Sequence, residues 1–448
     1  MNNALTLRNK PWKMAKIIMP ILITQVAMYM ITFFDILMTG RYDTYHLAGV
    51  TIGSSFWVPV YTGLAGILMA LTPIIAQLVG ARQKEDVRPT VQQGLYVSVA
   101  LSAIVFLVIL FAVAPILEAM PLEEQVRTVA SDYLKGMSFG LLPLFAYTVM
   151  RSFFDALGAT RVSMSVILLS APINVLLNYL LIYGHWGFPE LGGAGAGYAS
   201  AITYWLVFFI ACAIAWGWGP FVDYKLFVQW GKISFAKWKE ILFIGVPIGI
   251  SIFVEISIFS AVTLLMANYS TAVISAHQIA LNFTSLLYMI PLSISIGTTI
   301  LVGQEVGAGR MRDAKHYSYL SVGLAILFSF ISITILLLFR EQIASIYTND
   351  INIVKLSVHF FIYAAIFQLS DAIQAPVQGA LRGYKDVNVT FIMAIVSYWV
   401  IGLPVGYVMA TYTELGPYGY WIGLITGLTV GAITLAIRLR FIQNKKFA

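Results

Sequence analysis

The stretch Ile241-Leu-Phe-Ile-Gly-Val-Pro-Ile-Gly-Ile-Ser-Ile-Phe-Val-Glu255-Ile-Ser-Ile-Phe-Ser-Ala-Val-Thr-Leu-Leu-Met266 decides the fold class. It is 26 residues long and carries one charge, Glu255, near its middle. An apolar run of that length crosses the hydrocarbon core of a bilayer as a helix. A carboxylate at the centre of such a helix costs roughly 2.5–3.5 kcal/mol on insertion scales. Two more runs repeat the pattern. Asp35 is the only charge between Ile17 and Gly40, and Asp371 the only one between Leu356 and Leu381. Three lone acids, together costing up to about 10 kcal/mol if additive, need a reason to be there. Cation handling during transport is the reason that fits.

Working outward, the 448 residues are 59% hydrophobic and 10% charged, with mean hydropathy +0.84. Soluble domains carry about 25% charged residues, so an all-α polytopic membrane protein is expected. The net charge of +7 does not point to nucleic acid, because the basic residues fall in short connections and not in one patch. Cys212 is the single cysteine, so no intrachain disulfide can form. Arg8, Lys10, Lys13 and Lys16 precede a full-length span, so no cleavable signal peptide is expected.

Twelve spans are expected, near 16–39, 48–78, 91–114, 136–156, 162–183, 195–217, 240–266, 274–302, 317–339, 356–379, 388–410 and 417–438. With the N-terminus in the cytoplasm, inward ends and loops hold 22 of the 27 Lys and Arg, and outward loops hold 5. That bias places both termini inside and the chain in the cell membrane. The domains expected are an N-terminal six-helix lobe, 1–217, a cytoplasmic linker, 218–239, and a C-terminal six-helix lobe, 240–448. The linker's Phe221-Val-Asp-Tyr-Lys-Leu-Phe-Val-Gln-Trp230 run suits an interfacial segment or an ordinary basic connection.

The halves repeat at an offset of 227. Pro20 aligns with Pro247, Phe56 with Phe283, Asp86 with Asp313, and Gln77-Leu-Val-Gly-Ala81 with Gln304-Glu-Val-Gly-Ala308. Two six-span halves share one orientation and are parallel repeats, an architecture of alternating-access transporters whose substrate lies between the halves. The acids do not follow the repeat: Asp35 falls opposite Val262, and Glu255 opposite Met28.

Several segments, in order and at these spacings, carry a family resemblance over essentially the whole chain. They are Gly245-Val-Pro-Ile-Gly249 with Glu255, Ala276-His-Gln-Ile-Ala-Leu-Asn282 and Val302-Gly-Gln-Glu-Val-Gly-Ala-Gly309. Phe367-Gln-Leu-Ser-Asp-Ala-Ile-Gln374 and Gly379-Ala-Leu-Arg-Gly-Tyr-Lys-Asp386 complete the set. The sequence resembles the multidrug and toxic compound extrusion (MATE) family, most of all its NorM branch. The resemblance implies export of amphipathic, mostly cationic drugs and dyes, driven by inward Na⁺ or H⁺. It implies a C-terminal cation site of Glu255, Tyr288 and Asp371, and an N-terminal cation or proton site of Asp35, Asn174, Asn178 and Ser200. Some relatives carry two adjacent acids in span ten, whereas here Ala372 follows Asp371. Some archaeal relatives have Asp where Asn178 stands, which removes a titratable group from any proton relay here.

Read physically, Na⁺ wants several oxygen ligands, and carboxylates, amide carbonyls and hydroxyls supply them. Two buried acids at close range repel unless a proton or cation intervenes. A proton and Na⁺ then compete for one site, and a drug cation couples to that competition. Na⁺ is the expected coupling ion and H⁺ the alternative; no cofactor is expected. A buried acid held by hydroxyl or backbone donors for packing is the plainer account of each carboxylate. Asn174 and Asn178 lie i, i+4 on one face, as ligands or as interhelical hydrogen bonders, and Pro172 frees a backbone carbonyl beside them. Arg151 and Asp155 read as a local ion pair. The five histidines are scattered, with no HExxH or Cys/His cluster, so no transition-metal site is expected; His277 reads as a cap or packing residue. A monomer with membrane lipid and small molecules as partners is expected. A lipid-linked oligosaccharide flippase is the alternative, though its pyrophosphate calls for basic residues in the spans. An intramembrane enzyme is more remote, since no nucleophile–base constellation occurs.

Overall fold

The computed structural model describes residues 8–447, and these are all-helical with no β-strand among them. The first helices are α1 (Lys10–Tyr42), α2 (Thr44–Leu68), α3 (Leu71–Gly80), α4 (Lys84–Ala119), α5 (Glu124–Ser138), α6 (Leu141–Ala156), α7 (Thr160–Tyr183) and α8 (Gly193–Gly217). A short 3-10 turn at Gly219–Tyr224 follows, then α9 (Phe235–Met266), α10 (Thr271–Gly307), α11 (Met311–Leu338), α12 (Arg340–Tyr347) and α13 (Ile351–Gly383). The last are α14 (Asn388–Ala394), α15 (Leu403–Tyr412) and α16 (Tyr418–Phe447), with π-helical winding at Ile395–Gly402 between α14 and α15.

Eleven helical stretches are long and apolar enough to cross a membrane, and the pair α5–α6, bent by 48°, makes twelve if it counts as one. The span expected at 136–156 is therefore the second arm of a broken helix that starts at Glu124. Aliphatic and aromatic side chains stand outward along α4, among them Ile104, Leu110 and Phe111. A helix against lipid keeps its backbone bonds internal and presents such side chains outward. Asp43, Ser270 and Asp350 cap α2, α10 and α13 with side-chain oxygens.

Packing divides the described chain into two compact units. The first is Ile23–Gly249; the second takes the described residues up to Leu22 and those from Ile250 onward. Both changeovers lie inside a helix, two residues beyond Pro20 in α1 and two beyond Pro247 in α9. Proline lacks the N–H for an i−4 bond and kinks a helix, so the two arms need not share packing partners. The cuts differ from the lobe boundaries read from the repeat.

In the second unit the start of α1 is core. Met14, Ile17, Ile18 and Ile21 are buried with Ile294, Leu301 and Tyr317. A Cβ added at Gly297 of α10 would lie 2.6 Å from Ile18. Lys10, buried, pairs with Asp313, and its Nζ lies 3.2 Å from His316 Nδ1. Glu305, also buried, meets Arg310 at 2.5 Å and Lys13 at 3.8 Å. Its carboxylate holds the Arg310 guanidinium above its ordinary pKa. Elsewhere in this unit Trp421 packs against Phe360 and Phe367.

In the first unit the start of α9 rests on α2. A Cβ at Gly245 or Gly249 would meet the carbonyl oxygens of Ile67 and Gly63 at 2.2 and 2.4 Å. The connection between α8 and α9 is clamped to α4. Gln92 Nε2 donates to Leu226 O at 2.7 Å, and Gln93 Nε2 to Lys232 O at 2.8 Å. Gln93 Oε1 accepts from Ser234 N and Trp238 Nε1, each at 3.0 Å, and Tyr96 donates to Gly231 O at 2.7 Å. Phe221 of the 3-10 turn packs on Phe153 and Phe154. That connection thus belongs to the first unit.

Candidate functional site

Each unit holds a buried polar cluster that includes the acids expected in its spans. In the first unit the cluster forms where α1, α7 and α8 meet. Gly195, Ala196, Gly197 and Ala199 leave little side chain on α8, which permits close approach. Asp35 Oδ1 accepts from Asn178 Nδ2 at 2.5 Å, and Oδ2 accepts from Ser200 Oγ at 3.3 Å. Asn178 Nδ2 also donates to Asn174 Oδ1 at 3.2 Å. Asn174 Nδ2 donates on to Thr203 Oγ1 at 3.2 Å, and that hydroxyl donates to Ala199 O at 2.8 Å. All four residues expected at this site come together. Thr203, one helical turn beyond Ser200, was not anticipated; the i, i+3 spacing is its only signal in the sequence. Asn178 is fully buried, and its Oδ1 has no hydrogen-bond partner. The cluster therefore offers a carboxylate, amide oxygens and a hydroxyl, all hard donors suited to an alkali cation.

In the second unit the cluster is built on α13. Gln368, Asp371, Gln374, Gln378 and Arg382 recur every three or four residues and form one polar stripe on a helix. Asp371 and Tyr288 of α10 line a cavity of about 20 Å³ between α10, α11 and α13, with Gln368, Ser329 and Ala372 also in its wall. A cavity of that size holds about one water or ion. Glu255 of α9 is outside that wall, its Oε1 accepting from Gln378 Nε2 at 2.7 Å. It still lies within electrostatic reach of Asp371 and Tyr288. Arg382, nearly fully buried, is a fixed positive charge near Glu255. So the structure gathers all three expected residues in one region, but only Asp371 and Tyr288 share a cavity. Gln368, Gln378, Ser329 and Arg382 were missed. The stripe period along 367–382 was the signal for three of them; Ser329, one of four serines in α11, had none.

Two further polar groups are ion pairs. Arg151 Nε pairs with Asp155 at 3.4 Å, Arg151 Nη2 donates to Gln25 Oε1 at 3.1 Å, and Ser163 donates to Asp155 Oδ1 at 2.7 Å. Arg438 holds Asp386 with two bonds of 2.7 and 3.1 Å. Among the described residues no three His, Cys, Asp or Glu side chains gather as metal ligands.

A profile of the MatE family matches the chain twice, over residues 20–180 and 247–408, the offset of the internal repeat. The chain is 53% identical over 440 residues to the "Probable multidrug resistance protein NorM" of Halalkalibacterium halodurans, covering 98% of this chain and 96% of that protein. To the protein of the same name from Bacillus subtilis strain 168 it is 52% identical over 438 residues, covering 98% and 97%. Its fold matches the eukaryotic MATE transporter AtDTX14 with a TM-score of 0.85 at 20% identity over 98% of both chains. It matches a MOP superfamily transporter from Pyrococcus furiosus with 0.87 at 18%, covering 97% of this chain and 96% of that one.

Proposed function

Because the chain belongs to the MatE family, we propose that it is a secondary antiporter working by alternating access. It exports amphipathic, mostly cationic drugs and dyes in exchange for an inward cation. The chain is a multi-span multidrug efflux transporter, not an enzyme. We place it in the cell membrane as a monomer with both termini in the cytoplasm, on the excess of inward Lys and Arg. We assign the repeat units to residues 1–217 and 240–448, joined by 218–239.

The observation that carries the coupling is Asp371 with Tyr288 in the wall of one small cavity within a membrane-spanning helix set. A carboxylate in that setting is retained for ion or proton binding by default. Na⁺ is the favoured ion and H⁺ the alternative, because the surrounding donors are oxygens; Ala372 in place of a second acid leaves that choice open. Asp35 with Asn174, Asn178 and Ser200 forms the second cation or proton site. A drug cation and the coupling ion then exclude each other by favouring opposite-facing states, which is a coupling free energy between two ligands.

The test loads proteoliposomes with ethidium and follows fluorescence after a Na⁺ pulse at fixed pH, then after an acid pulse without Na⁺. Efflux triggered by Na⁺ and lost in Asp371→Asn, with an unchanged melting temperature, supports the C-terminal site. Efflux triggered by acid alone transfers the coupling to protons, and Asp35→Asn becomes the deciding variant. Silence after both pulses sinks the antiport reading for this dye.

A further inference from the structure

Two side chains in the wall of the Asp371 cavity have unmet bonding capacity. Gln368 is 7% exposed, and neither its amide oxygen nor its amide nitrogen has a hydrogen-bond partner. Ser329 of α11 is 7% exposed, and its hydroxyl has none either. Nine-tenths or more of buried backbone polar groups, and the large majority of buried side-chain polar atoms, are bonded in native proteins, so a pair of exceptions in one wall asks for a ligand. Ser329 departs from its own helix as well. Ser318, Ser321 and Thr334 of α11 all donate back to carbonyls four residues earlier, at 2.9, 2.8 and 2.7 Å. Gln368 lies i, i+3 from Asp371, on the same face of α13. Ser332 also lines the wall, and the remainder, with Leu287, Ile290 and Phe328, is apolar.

We propose that Gln368 and Ser329 complete the cation site at Asp371. An alkali cation held by the Asp371 carboxylate and Tyr288 hydroxyl takes the Gln368 carbonyl and the Ser329 hydroxyl as further oxygen ligands. This rests on the cation-coupled reading above and deepens it. Glu255 acts on that ion through its charge, since it lies outside the wall, with one carboxylate oxygen bonded to Gln378. The ligand set also bears on the choice of ion. A proton on Asp371 needs only the carboxylate, whereas a sodium ion needs several oxygens at once. The neutral amide and hydroxyl therefore stabilise bound Na⁺ and add little for H⁺, so they set the preference between the two.

The test compares full-length wild type with Ser329→Ala, Gln368→Leu, the double variant and the conservative Ser329→Thr. Each is read by ²²Na⁺ binding in detergent and by Na⁺- and acid-triggered ethidium efflux in proteoliposomes. Each single removal raises the sodium dissociation constant and the half-saturating Na⁺ by about tenfold or more, a loss typical of site-supporting groups, while Ser329→Thr stays within about twofold. In each removal variant Na⁺-triggered efflux falls by a larger factor than acid-triggered efflux, so the ratio of the two drops below the wild-type value. Sodium binding by Ser329→Ala and Gln368→Leu that superimposes on wild type, with Asp371→Asn still inactive, overturns the inference and leaves the antiport reading intact. A wild type that binds no ²²Na⁺ also overturns it, and the efflux pulses then judge the antiport reading separately.

Discussion

Trp421 Nε1–H donates to His277 Nδ1 at 3.0 Å, and His277 Nε2 lies 3.1 Å from Thr263 Oγ1. Accepting at Nδ1 places the single ring proton on Nε2, because a neutral imidazole has one donor and one acceptor. Thr263 gives its own hydrogen to Phe259 O at 2.9 Å, so its oxygen is free to accept from Nε2. The ring is saturated as a neutral packing residue, fully buried at the start of α10. His277→Phe strands the Trp421 N–H and lowers stability by about 1–3 kcal/mol. Detergent melting reads the loss, and the pH profile of acid-triggered efflux stays in place. A profile that shifts with this variant would make His277 a proton carrier. The same scale separates the two polar clusters. Asp35 stood out because a charge in an apolar run is conspicuous, and the two Asn share a helix face. Gln368 and Ser329 carry no charge, and their significance depends on what packs opposite them.

Along α16, Gly419, Gly423, Gly427 and Gly431 recur every fourth residue; Gly419 meets the backbone of Met409 and Ala410, Gly423 that of Gly402 and Gly406, and Gly427 that of Ser397 and Gly402. A Cβ at Gly423 would sit 2.4 Å from Gly402 O and from Gly406 Cα. Helix association in membranes relies on such close backbone approach. Gly423→Leu pushes the helices apart, at a cost of about 1–3 kcal/mol or more. Gly323 in α11 has nothing within 4 Å of an added Cβ, so Gly323→Ala holds or raises stability by about 0.5–1 kcal/mol. Paired melting curves of the two variants in detergent decide, and equal curves would refute the close-packing account. Proline tells a different story at this scale. Pro20 and Pro247 were legible as repeat partners, yet their role as the points where α1 and α9 change packing unit was not. The bend at Phe139–Gly140 was hidden too, because the hydropathy of Leu141–Ala156 reads as an ordinary span.

For the whole molecule, the orientation proposed from Lys and Arg predicts the segment between α12 and α13 outside and the end of α16 inside. Cys212 is the single cysteine, so Cys212→Ser gives a background without thiols. Both Asn349 and Lys445 are exposed. A membrane-impermeant maleimide labels Asn349→Cys on intact cells, and labels Lys445→Cys only after permeabilisation. The reverse pattern overturns the orientation.

Hydrophobic length, isolated charge and the two-fold repeat are properties of consecutive residues, so the sequence by itself determined a membrane-spanning helical transporter. It also marked Asp35, Glu255 and Asp371 as its unusual groups. Packing decided the rest, because a ligand set draws on several helices and a neutral side chain looks the same along the chain whether bonded or not. Only the tertiary structure could put Gln378 on Glu255, leave Gln368 and Ser329 unbonded beside Asp371, and extend the Asp35 cluster to Thr203.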